Sequence, residues 1–544
     1  MVTGSEAIEL ADDYNRPPEA IGYHQLDEGY DMNIDTGNKE DLIDVKTKQA
    51  ELIMEQMGTS GKYQYYILVF FSIISFGTGF MVYLIAYVIT SPLSECPDLT
   101  YSTGYRFCSE QEACDLISQG KPARVYFTTD GWSKQYNMAC DSADVRESTV
   151  MLLLCVKAVL AMPILVLIDI YGRKFGMLLS YAYVLIGIII SQSIDSFVWK
   201  AIGLGILNCT EISYSCLAAV IVTECTSKRT KFRSTIISLV FLAYGLGSIA
   251  INFFAYISTQ ADFLLLLTFG SVGILGFPAL FLWESPMYLL EKGDVDGFER
   301  VVAQIGKYNN RQPTADADHG KRMVRLRHLV QQCNERQQEL EKTNSLYRYP
   351  ILAILFTKTY LWSLLVLSVI GTNFTWVYYG ISVNIEDLGL KDIQINGIIF
   401  GITQAFGYLI LVPYASGMDR RKWCIIFQII LLIGAGILLA TSILFDTNST
   451  KVQLSQTIVS CFLCGLPLSC AYTLFYMLVS ELFPAELRGT ANSLVMLASN
   501  LFGILAPTVG KKFEQFDIHN LVGCSIVGIV ALPLTFTLRK TRFK

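Results

Sequence analysis

Long apolar stretches alternate with short polar loops along most of this chain. A transmembrane helix needs about 20 mostly apolar residues. Twelve stretches meet that requirement: 65–89, 148–168, 176–194, 197–222, 234–256, 263–283, 359–381, 396–417, 423–445, 454–480, 489–509 and 520–538. The pattern therefore predicts an all-α membrane protein with twelve transmembrane helices in two six-helix bundles.

Polar segments set the predicted domain boundaries. They give an N-terminal tail (1–63), a first bundle (64–283) with a long loop (91–147), a linker with helices (284–358), a second bundle (359–538) and a short tail (539–544). Apolar residues at helical spacing over Asp41–Met57 favour an amphipathic helix before the first span, with a disordered tail as the alternative. The N-terminus lacks the short apolar core and basic flank of a cleaved signal peptide.

Composition supports a chain solvated mostly by lipid. Hydrophobic residues make up 52% and charged residues 16% of the 544, whereas soluble domains carry about 25% charged residues. The net charge of −5 gives no basic surface for nucleic acid. The sequence has no cluster of a nucleophile with a base and no phosphate-binding glycine loop. We therefore expect neither an enzyme nor a bound cofactor or metal.

Lysine and arginine concentrate in particular short loops, which fixes the predicted orientation. These loops hold Arg173 and Lys174, Lys228 to Arg233, and Arg420 to Lys422, and the C-terminus is basic as well. Because short cytosolic loops carry the excess of Lys and Arg, both termini and the linker are expected in the cytosol.

The long loop after the first span is then extracellular and contains four cysteines. They are Cys96, Cys108, Cys114 and Cys140. Four cysteines on this face predict two disulfides with three possible connectivities, and four free thiols are the alternative. Asn448, in an N-S-T sequon of another outer loop, is a candidate glycosylation site.

An acidic and a basic residue recur at the same membrane edge in both halves of the chain. The first half has Asp169, Gly172 and Arg173 after span 2, then Glu224 and Arg233 after span 4; the second has Asp419 and Arg420, then Glu481 and Arg488. Gly172 permits a tight turn. The carboxylates can face helix N-termini or arginines in contacts that break and reform. Ordinary basic loops are the alternative.

This repeat resembles the major facilitator superfamily. The resemblance implies two six-helix bundles that rock about a central site, with these charged residues acting as a gate that latches the inward-closed state. The second copy lacks the glycine, so we expect a weaker latch in the C-terminal half.

Further motifs resemble the organic cation, organic anion and carnitine transporter family. They are Met57–Gln64 before span 1, the cysteine loop ending in Trp132 to Cys140, Glu284–Leu289 after span 6, Tyr378-Tyr379-Gly380 in span 7, and Gly503–Pro507 after span 11. The resemblance implies a secondary transporter of a small organic ion or zwitterion in the plasma membrane, with a proton or sodium ion as a possible coupled partner.

The residues that mark cation or anion transport in that family are absent. The span 11 position of a charged residue holds Asn500, and the two span 8 positions hold Gln404 and Tyr408. Neither charge class is therefore indicated. The substitutions also favour an alternative function, a protein that no longer transports and serves as a receptor or structural subunit.

Two charged residues lie deep inside predicted spans: Lys157 in span 2 and Glu211 in span 4. Each costs about 2.5–3.5 kcal/mol at mid-membrane. Both lie roughly 18–20 Å above the cytosolic edge at 1.5 Å per residue, which predicts a neutralising pair. One interpretation is a site for solute or a proton, and the other is a structural salt bridge.

Aromatic residues complete the set of candidate solute-binding positions. Those in spans 7 and 10 are Trp376, Tyr378, Tyr379, Phe475 and Tyr476. They line an apolar cavity in one interpretation and serve only for helix packing in the other. Together with Lys157, Glu211, Gln404, Tyr408 and Asn500, they are the residues expected to contact a solute.

The orientation can be tested by labelling single introduced cysteines in intact cells. A membrane-impermeant maleimide should label a site near Gly120, in the predicted outer loop, and leave a site near Gly320 unlabelled until the cells are permeabilised. The reverse pattern would show that the bundles are oriented the other way.

Overall fold

Helices account for nearly all of the structure, a computed structural model. It describes residues 39–538 except 57, 59–60, 91, 98–104, 109, 128, 141–142, 227–231, 275–280, 312–316, 344–349, 383–392, 446–449, 484, 507–508, 510–512, 514–517 and 520. The predicted glycosylation site Asn448 and both ends of the chain lie outside the described residues.

The first bundle follows an amphipathic helix. That helix is α1 (Lys39–Gln56), in agreement with the sequence pattern. The bundle contains α2 (Lys62–Val88), α5 (Ala143–Tyr171), α6 (Arg173–Ser193), α7 (Phe197–Cys225), α8 (Phe232–Ile257) and α9 (Ala261–Thr268), which continues as a π-helix over Phe269–Ile274.

Four shorter helices form the linker between the bundles. They are α10 (Pro286–Glu291), α11 (Val295–Tyr308), α12 (Ala317–Thr343) and α13 (Pro350–Phe356). Ser285 caps α10 by accepting a hydrogen bond from Tyr288 N, and Asp294 caps α11 by accepting one from Gly297 N. These caps satisfy amide groups that have no partner inside the helix.

The second bundle repeats the plan of the first. It contains α14 (Lys358–Ser382), α15 (Ile393–Tyr414), α16 (Arg420–Leu444), α17 (Thr450–Ile458) joined through a π-helix (Val459–Gly465) to α18 (Leu466–Leu482), α19 (Ala485–Gly503) and α20 (Leu521–Thr535). One continuous apolar core extends through both bundles.

Nine helices of the described residues are long and apolar enough to cross a membrane. Two of the remaining predicted spans correspond to shorter apolar helices, Ala261–Val272 and Leu521–Thr535. The third is α19, which starts with charged residues, so its apolar part is short. The multi-pass helical architecture agrees with the sequence, whereas the count of twelve spans stays a prediction.

The bundles have two different ends. The basic end, as we name it, carries Arg173, Lys174, Arg420 and the linker helices, and the disulfide end carries the loop after α2. This loop contains β1 (Leu93–Pro97), β2 (Tyr105–Phe107), α3 (Glu110–Ser118), β3 (Arg124–Tyr126) and α4 (Trp132–Gln135). The strands form an antiparallel sheet in the order β2-β1-β3.

Two disulfides and one ion pair hold this loop together. Cys96 pairs with Cys108, and Cys114 pairs with Cys140, which selects one of the three connectivities. Arg146 at the start of α5 lies 2.6 Å from Glu110 of α3 and is itself buried. The loop is therefore anchored to the bundle by a charge-assisted hydrogen bond, the stronger kind in a protein interior.

The connectivity predicts a specific alkylation pattern. Cys96→Ser should free only Cys108, and Cys114→Ser should free only Cys140, because each thiol has one partner. Non-reducing peptide mapping after alkylation of the native protein would show this. Alkylation of all four cysteines in the unmodified chain would contradict both disulfides.

Candidate functional site

A cavity lies between the two bundles near the middle of the spans. Its empty space measures about 530 Å³, including the part open to solvent. Helices of both bundles line it, with Lys157, Glu211, Ile212, Ser215, Phe241 and Tyr244 from the first and Thr375, Tyr378, Tyr379, Tyr408, Tyr472, Tyr476, Met496 and Asn500 from the second. Six of these fourteen residues are tyrosines.

The structure brings the two membrane-embedded charges together at one side of this cavity. Lys157 Nζ lies 2.5 Å from Glu211 Oε2. The side chain of Lys157 is 2% exposed and that of Glu211 is 16% exposed. The two residues thus form the ion pair that their common depth in the membrane predicts. The carboxylate of Glu211 is more exposed than the ammonium group of Lys157.

Tyrosine hydroxyl groups connect this ion pair to both bundles. Tyr244 of α8 donates to Glu211 Oε1 at 3.4 Å, and its hydroxyl lies 2.5 Å from that of Tyr378 on α14. The ring centroid of Tyr379 lies 5.3 Å from Lys157 Nζ, a cation–π distance. The charged pair of the first bundle therefore contacts the second bundle through Tyr378 and Tyr379.

Close packing of α14 on α19 positions Tyr379. A Cβ on Gly371 would lie 2.1 Å from Ser499 Oγ, so a larger residue there would displace the Ser499 hydroxyl. The close approach lets the Tyr379 hydroxyl donate to Asn500 Oδ1 at 2.7 Å. Small residues allow helices to approach closely in membranes, and here they bring a cavity tyrosine to its hydrogen-bond acceptor.

Three residues expected in the cavity lie elsewhere. Trp376 is not among the residues that line the cavity and donates through Nε1 to the Phe502 carbonyl at 2.6 Å. Phe475 packs on Phe374 with ring centroids 5.7 Å apart. Gln404 lies between the bundles and accepts from the Tyr83 hydroxyl at 3.0 Å. None of the three lines the cavity, because the rotation of a helix about its axis decides which residues face it, and their part in solute binding stays a prediction.

The prediction also missed cavity residues. Tyr244 and Tyr472 carry much of its polar lining, and Phe241 of α8 contacts Tyr408 and Tyr476 with ring centroids 5.8 and 5.3 Å away. Tyr472 lies four residues before Tyr476, the spacing that places two side chains on one helix face, so it was detectable. Nothing in the sequence near Tyr244 distinguishes it.

Polar contacts join the bundles on the disulfide side of the cavity. Tyr83 of α2 donates to Gln404 of α15. Asn252 of α8 accepts from Tyr87 of its own bundle and lies against Gly397 of α15, where a Cβ would lie 1.8 Å from Asn252 Oδ1. All of these polar side chains are buried.

Charged contacts join the bundles at the basic end. Asp169 of α5 accepts hydrogen bonds from Thr490 of α19, at 2.5 Å from the amide nitrogen and 2.7 Å from the hydroxyl oxygen. Glu224 of α7 binds Arg173 at 2.7 Å and lies 4.0 Å from Arg488 of α19. The cavity is thus closed towards the basic end by residues that the sequence repeat singled out.

Gly172 supports this arrangement through its backbone. Its φ is +108°, and a Cβ there would lie 2.2 Å from Glu284 Oε2. The Glu284 carboxylate accepts from the amides of Arg173 at 2.8 Å and Lys174 at 3.3 Å. These bonds stabilise the N-terminus of α6, which accounts for both the glycine and the glutamate of the span 6 exit motif.

Asp419 and Arg420 of the C-terminal copy of the repeat make local contacts. Asp419 caps its own helix by accepting from Lys422 N at 3.5 Å. Arg420 lies 3.6 Å from Glu481 and donates to the Met418 carbonyl at 2.8 Å. Within the part of the chain that the structure describes, Asp419 makes no hydrogen bond or ion pair with the first bundle, unlike its counterpart Asp169.

Comparison with known proteins identifies the family. The family model described as Major Facilitator Superfamily matches residues 139–507, well over half of the chain. This chain belongs to the major facilitator superfamily. The superfamily expected from the repeated acidic and basic residues is therefore confirmed. Its members are transporters and not enzymes.

Individual relatives of this superfamily member are distant. A Caenorhabditis elegans protein assigned as a transporter is 20% identical, over 96% of this chain and 87% of the relative. Human solute carrier family 22 member 7 is 28% identical over 42% of this chain and 38% of its own length. The hexose transporter HXT9 of Saccharomyces cerevisiae is 24% identical over 66% of this chain and 65% of its own length. The similarity to solute carrier family 22 agrees with the expected organic-ion branch.

Solved structures support the fold. The proton:xylose symporter XylE has a TM-score of 0.60 at 13% identity, covering 88% of this chain and 97% of its own. The human organic anion transporter MFSD10 has a TM-score of 0.51 at 15% identity, and the match covers 87% of this chain and 99% of that structure. At such identities the likeness concerns the arrangement of helices alone.

The ion pair in the cavity generates a stability prediction. Lys157→Met or Glu211→Gln alone leaves the other charge buried and unpaired, which costs about 3–5 kcal/mol. Each single variant should give less folded protein and a lower melting temperature in detergent. The double variant should recover part of both, and single variants of normal stability would contradict the pairing.

Proposed function

We propose that this superfamily member is a secondary transporter that moves a small organic ion or zwitterion by alternating access. The proposal rests on the central cavity, which contains an ion pair and six tyrosines and is closed at both ends by contacts between the bundles. Polar contacts that join two rigid bundles can break at one end while those at the other end persist. We further propose twelve spans, cytosolic termini and a plasma-membrane location.

The accessibility of the charged groups favours a solute with a positive group. Glu211 is 16% exposed, whereas Lys157 is 2% exposed behind it. Tyr244, Tyr378 and Tyr379 line the same cavity as the carboxylate, and the Tyr244 hydroxyl donates to it. An ammonium group gains from a carboxylate and from aromatic faces together. We propose that such a group binds between Glu211 and these rings while Lys157 stays as the fixed counterion. A coupled proton would also bind at Glu211.

The gate in this proposal uses different contacts at the two ends. Opening towards the cytosol separates Asp169 from Thr490 and Glu224 from Arg488, each a contact between bundles. The bond between Arg173 and Glu224 lies within the first bundle and persists. Opening to the outside breaks the contact of Tyr83 with Gln404 instead.

Uptake into liposomes tests this function. Purified protein should accumulate or exchange at least one labelled organic cation or zwitterion from a panel that also contains carboxylates and hexoses. The Lys157→Met, Glu211→Gln double variant should fold and lose that uptake, because the solute's positive group then has no carboxylate to bind.

A second buried ion pair provides the matched control. Arg146 and Glu110 lie 2.6 Å apart with side chains 3% and 17% exposed, nearly the burial of Lys157 and Glu211, but at the disulfide end. The Arg146→Met, Glu110→Gln variant should keep its uptake once folded. If folded wild-type protein takes up none of the compounds in the panel, the result would favour a role as a receptor or structural subunit instead. Normal uptake by the Lys157, Glu211 double variant would reduce that pair to a structural role.

A further inference from the structure

The last part of the loop at the disulfide end crosses the end of α2. Within residues 129–136, which we name the clamp, Thr129 donates from its hydroxyl to the Tyr87 carbonyl at 3.2 Å, and its Oγ1 lies 2.9 Å from that of Thr90. Because a hydroxyl donates only one hydrogen bond, Thr90 is the donor of the second. The two threonines are 1% and 3% exposed. Two buried hydrogen bonds thus join the clamp to the end of α2.

Gly131 lets the clamp come this close to α2. A Cβ at position 131 would meet the carbonyl oxygens of both Tyr87 and Val88, and it would lie 2.7 Å from the oxygen of Val88. Both are backbone atoms, which cannot turn aside as a flexible side chain can. A larger residue at position 131 would therefore push the end of α2 away from the clamp.

The clamp is bound to two more parts of the first bundle. The Asp130 amide donates to Thr259 Oγ1 at 3.2 Å, in the link between α8 and α9. Lys200 of α7 is 8% exposed, and its Nζ lies 5.5 Å from the ring centroid of Trp132 and 5.6 Å from that of Tyr136. An ammonium group that is shielded from water gains most from aromatic faces. One short segment thus joins the end of α2 to α7 and to the link between α8 and α9.

The end of α2 also carries the contacts that close the disulfide end. Tyr83 donates to Gln404 of the second bundle at 3.0 Å. Tyr87, one helical turn further on, donates to Asn252, which lies against Gly397 of the second bundle. The clamp binds the backbone of Tyr87 itself. The placement of both tyrosine side chains therefore depends on a segment whose own partners all belong to the first bundle.

We propose that the clamp positions the end of α2 for closure of the disulfide end. Held by the clamp, Tyr83 and Tyr87 already lie where the second bundle meets them. Without it, the end of α2 gains conformational freedom that closure has to remove at a cost in entropy, whereas preorganisation avoids this cost. The clamp moves with the first bundle and its bonds persist when this end opens, so weakening the clamp destabilises the closed state more than the open one. This inference rests on the proposed alternating access, but its test needs no solute.

The distance across the disulfide end measures the effect. Ketone-bearing amino acids at positions 193 and 451, which are exposed at this end of the first and second bundle, accept nitroxide labels and leave the cysteines intact. Electron paramagnetic resonance on full-length protein in nanodiscs should then report a short distance for the closed end and a long distance for the open end.

Loss of the Thr129 hydroxyl should favour the open end. Thr129→Val should raise the ratio of long to short distances about two- to tenfold, up to the contribution of one buried hydrogen bond to stability. Thr129→Ser, which keeps the hydroxyl, should stay near wild type. Lys200→Met, which removes the cation from the two rings, should shift the ratio in the same direction as Thr129→Val.

Tyr126→Phe is the matched control, because it also removes one hydroxyl from the loop. That hydroxyl donates to Glu95 of the same loop at 3.1 Å and lies outside the clamp, so the distances should stay unchanged. Unchanged distances in a folded Thr129→Val protein, or in a folded Lys200→Met protein if the first does not fold, would overturn the proposal. An equal shift in Tyr126→Phe would also overturn it. The expected shift in a protein whose wild type takes up no solute would instead count against the proposed function alone.

Discussion

The buried ion pair between Lys157 and Glu211 is the constraint on which the centre of this protein depends. A single charge at this depth carries a large desolvation cost, and at 2.5 Å each residue neutralises the other. The remaining carboxylate oxygen still needs a donor, and Tyr244 supplies it. Tyr244 in turn bonds to Tyr378 of the other bundle. Satisfying two charges in lipid thus produces a polar contact between the halves of the molecule, which is where a transporter needs one.

The aspartates of the two halves of the repeat make different contacts. In the first, the left-handed conformation of Gly172 leaves room for Glu284, which accepts the amides that begin α6. Asp169 is then available to accept from Thr490 across the gate. In the second, Asp419 caps its own helix. A weaker latch in the C-terminal half stays a prediction, and this local capping supports it.

Residues outside the spans form a layer of their own at the basic end. Helices α1, α10, α11 and α12 share a small core and face the cytoplasm in the proposed orientation, and Asn309 joins this layer to the start of the first span. The contacts of this layer explain why the motif from Met57 to Gln64 contains a glycine and a glutamine. Gly61 gives Asn309 space, and Gln64 donates to the carbonyl of Cys225 at the end of α7. The motif thus connects the layer to the helix that carries both Glu211 and Glu224.

The sequence by itself determined the membrane class, the two bundles and the residues that are costly in lipid, because hydrophobic length and the rarity of buried charge are properties of a linear segment. It identified Lys157 and Glu211 for that reason, and Asp169 and Arg173 through the repeat of acidic and basic residues at one membrane edge. Only the tertiary structure decided that Tyr244 lines the cavity while Trp376 and Gln404 do not. All three lie on apolar helices buried on several sides, where periodicity gives no outward face. Their roles depend on helix rotation and on contacts between segments more than a hundred residues apart, and a linear pattern carries neither.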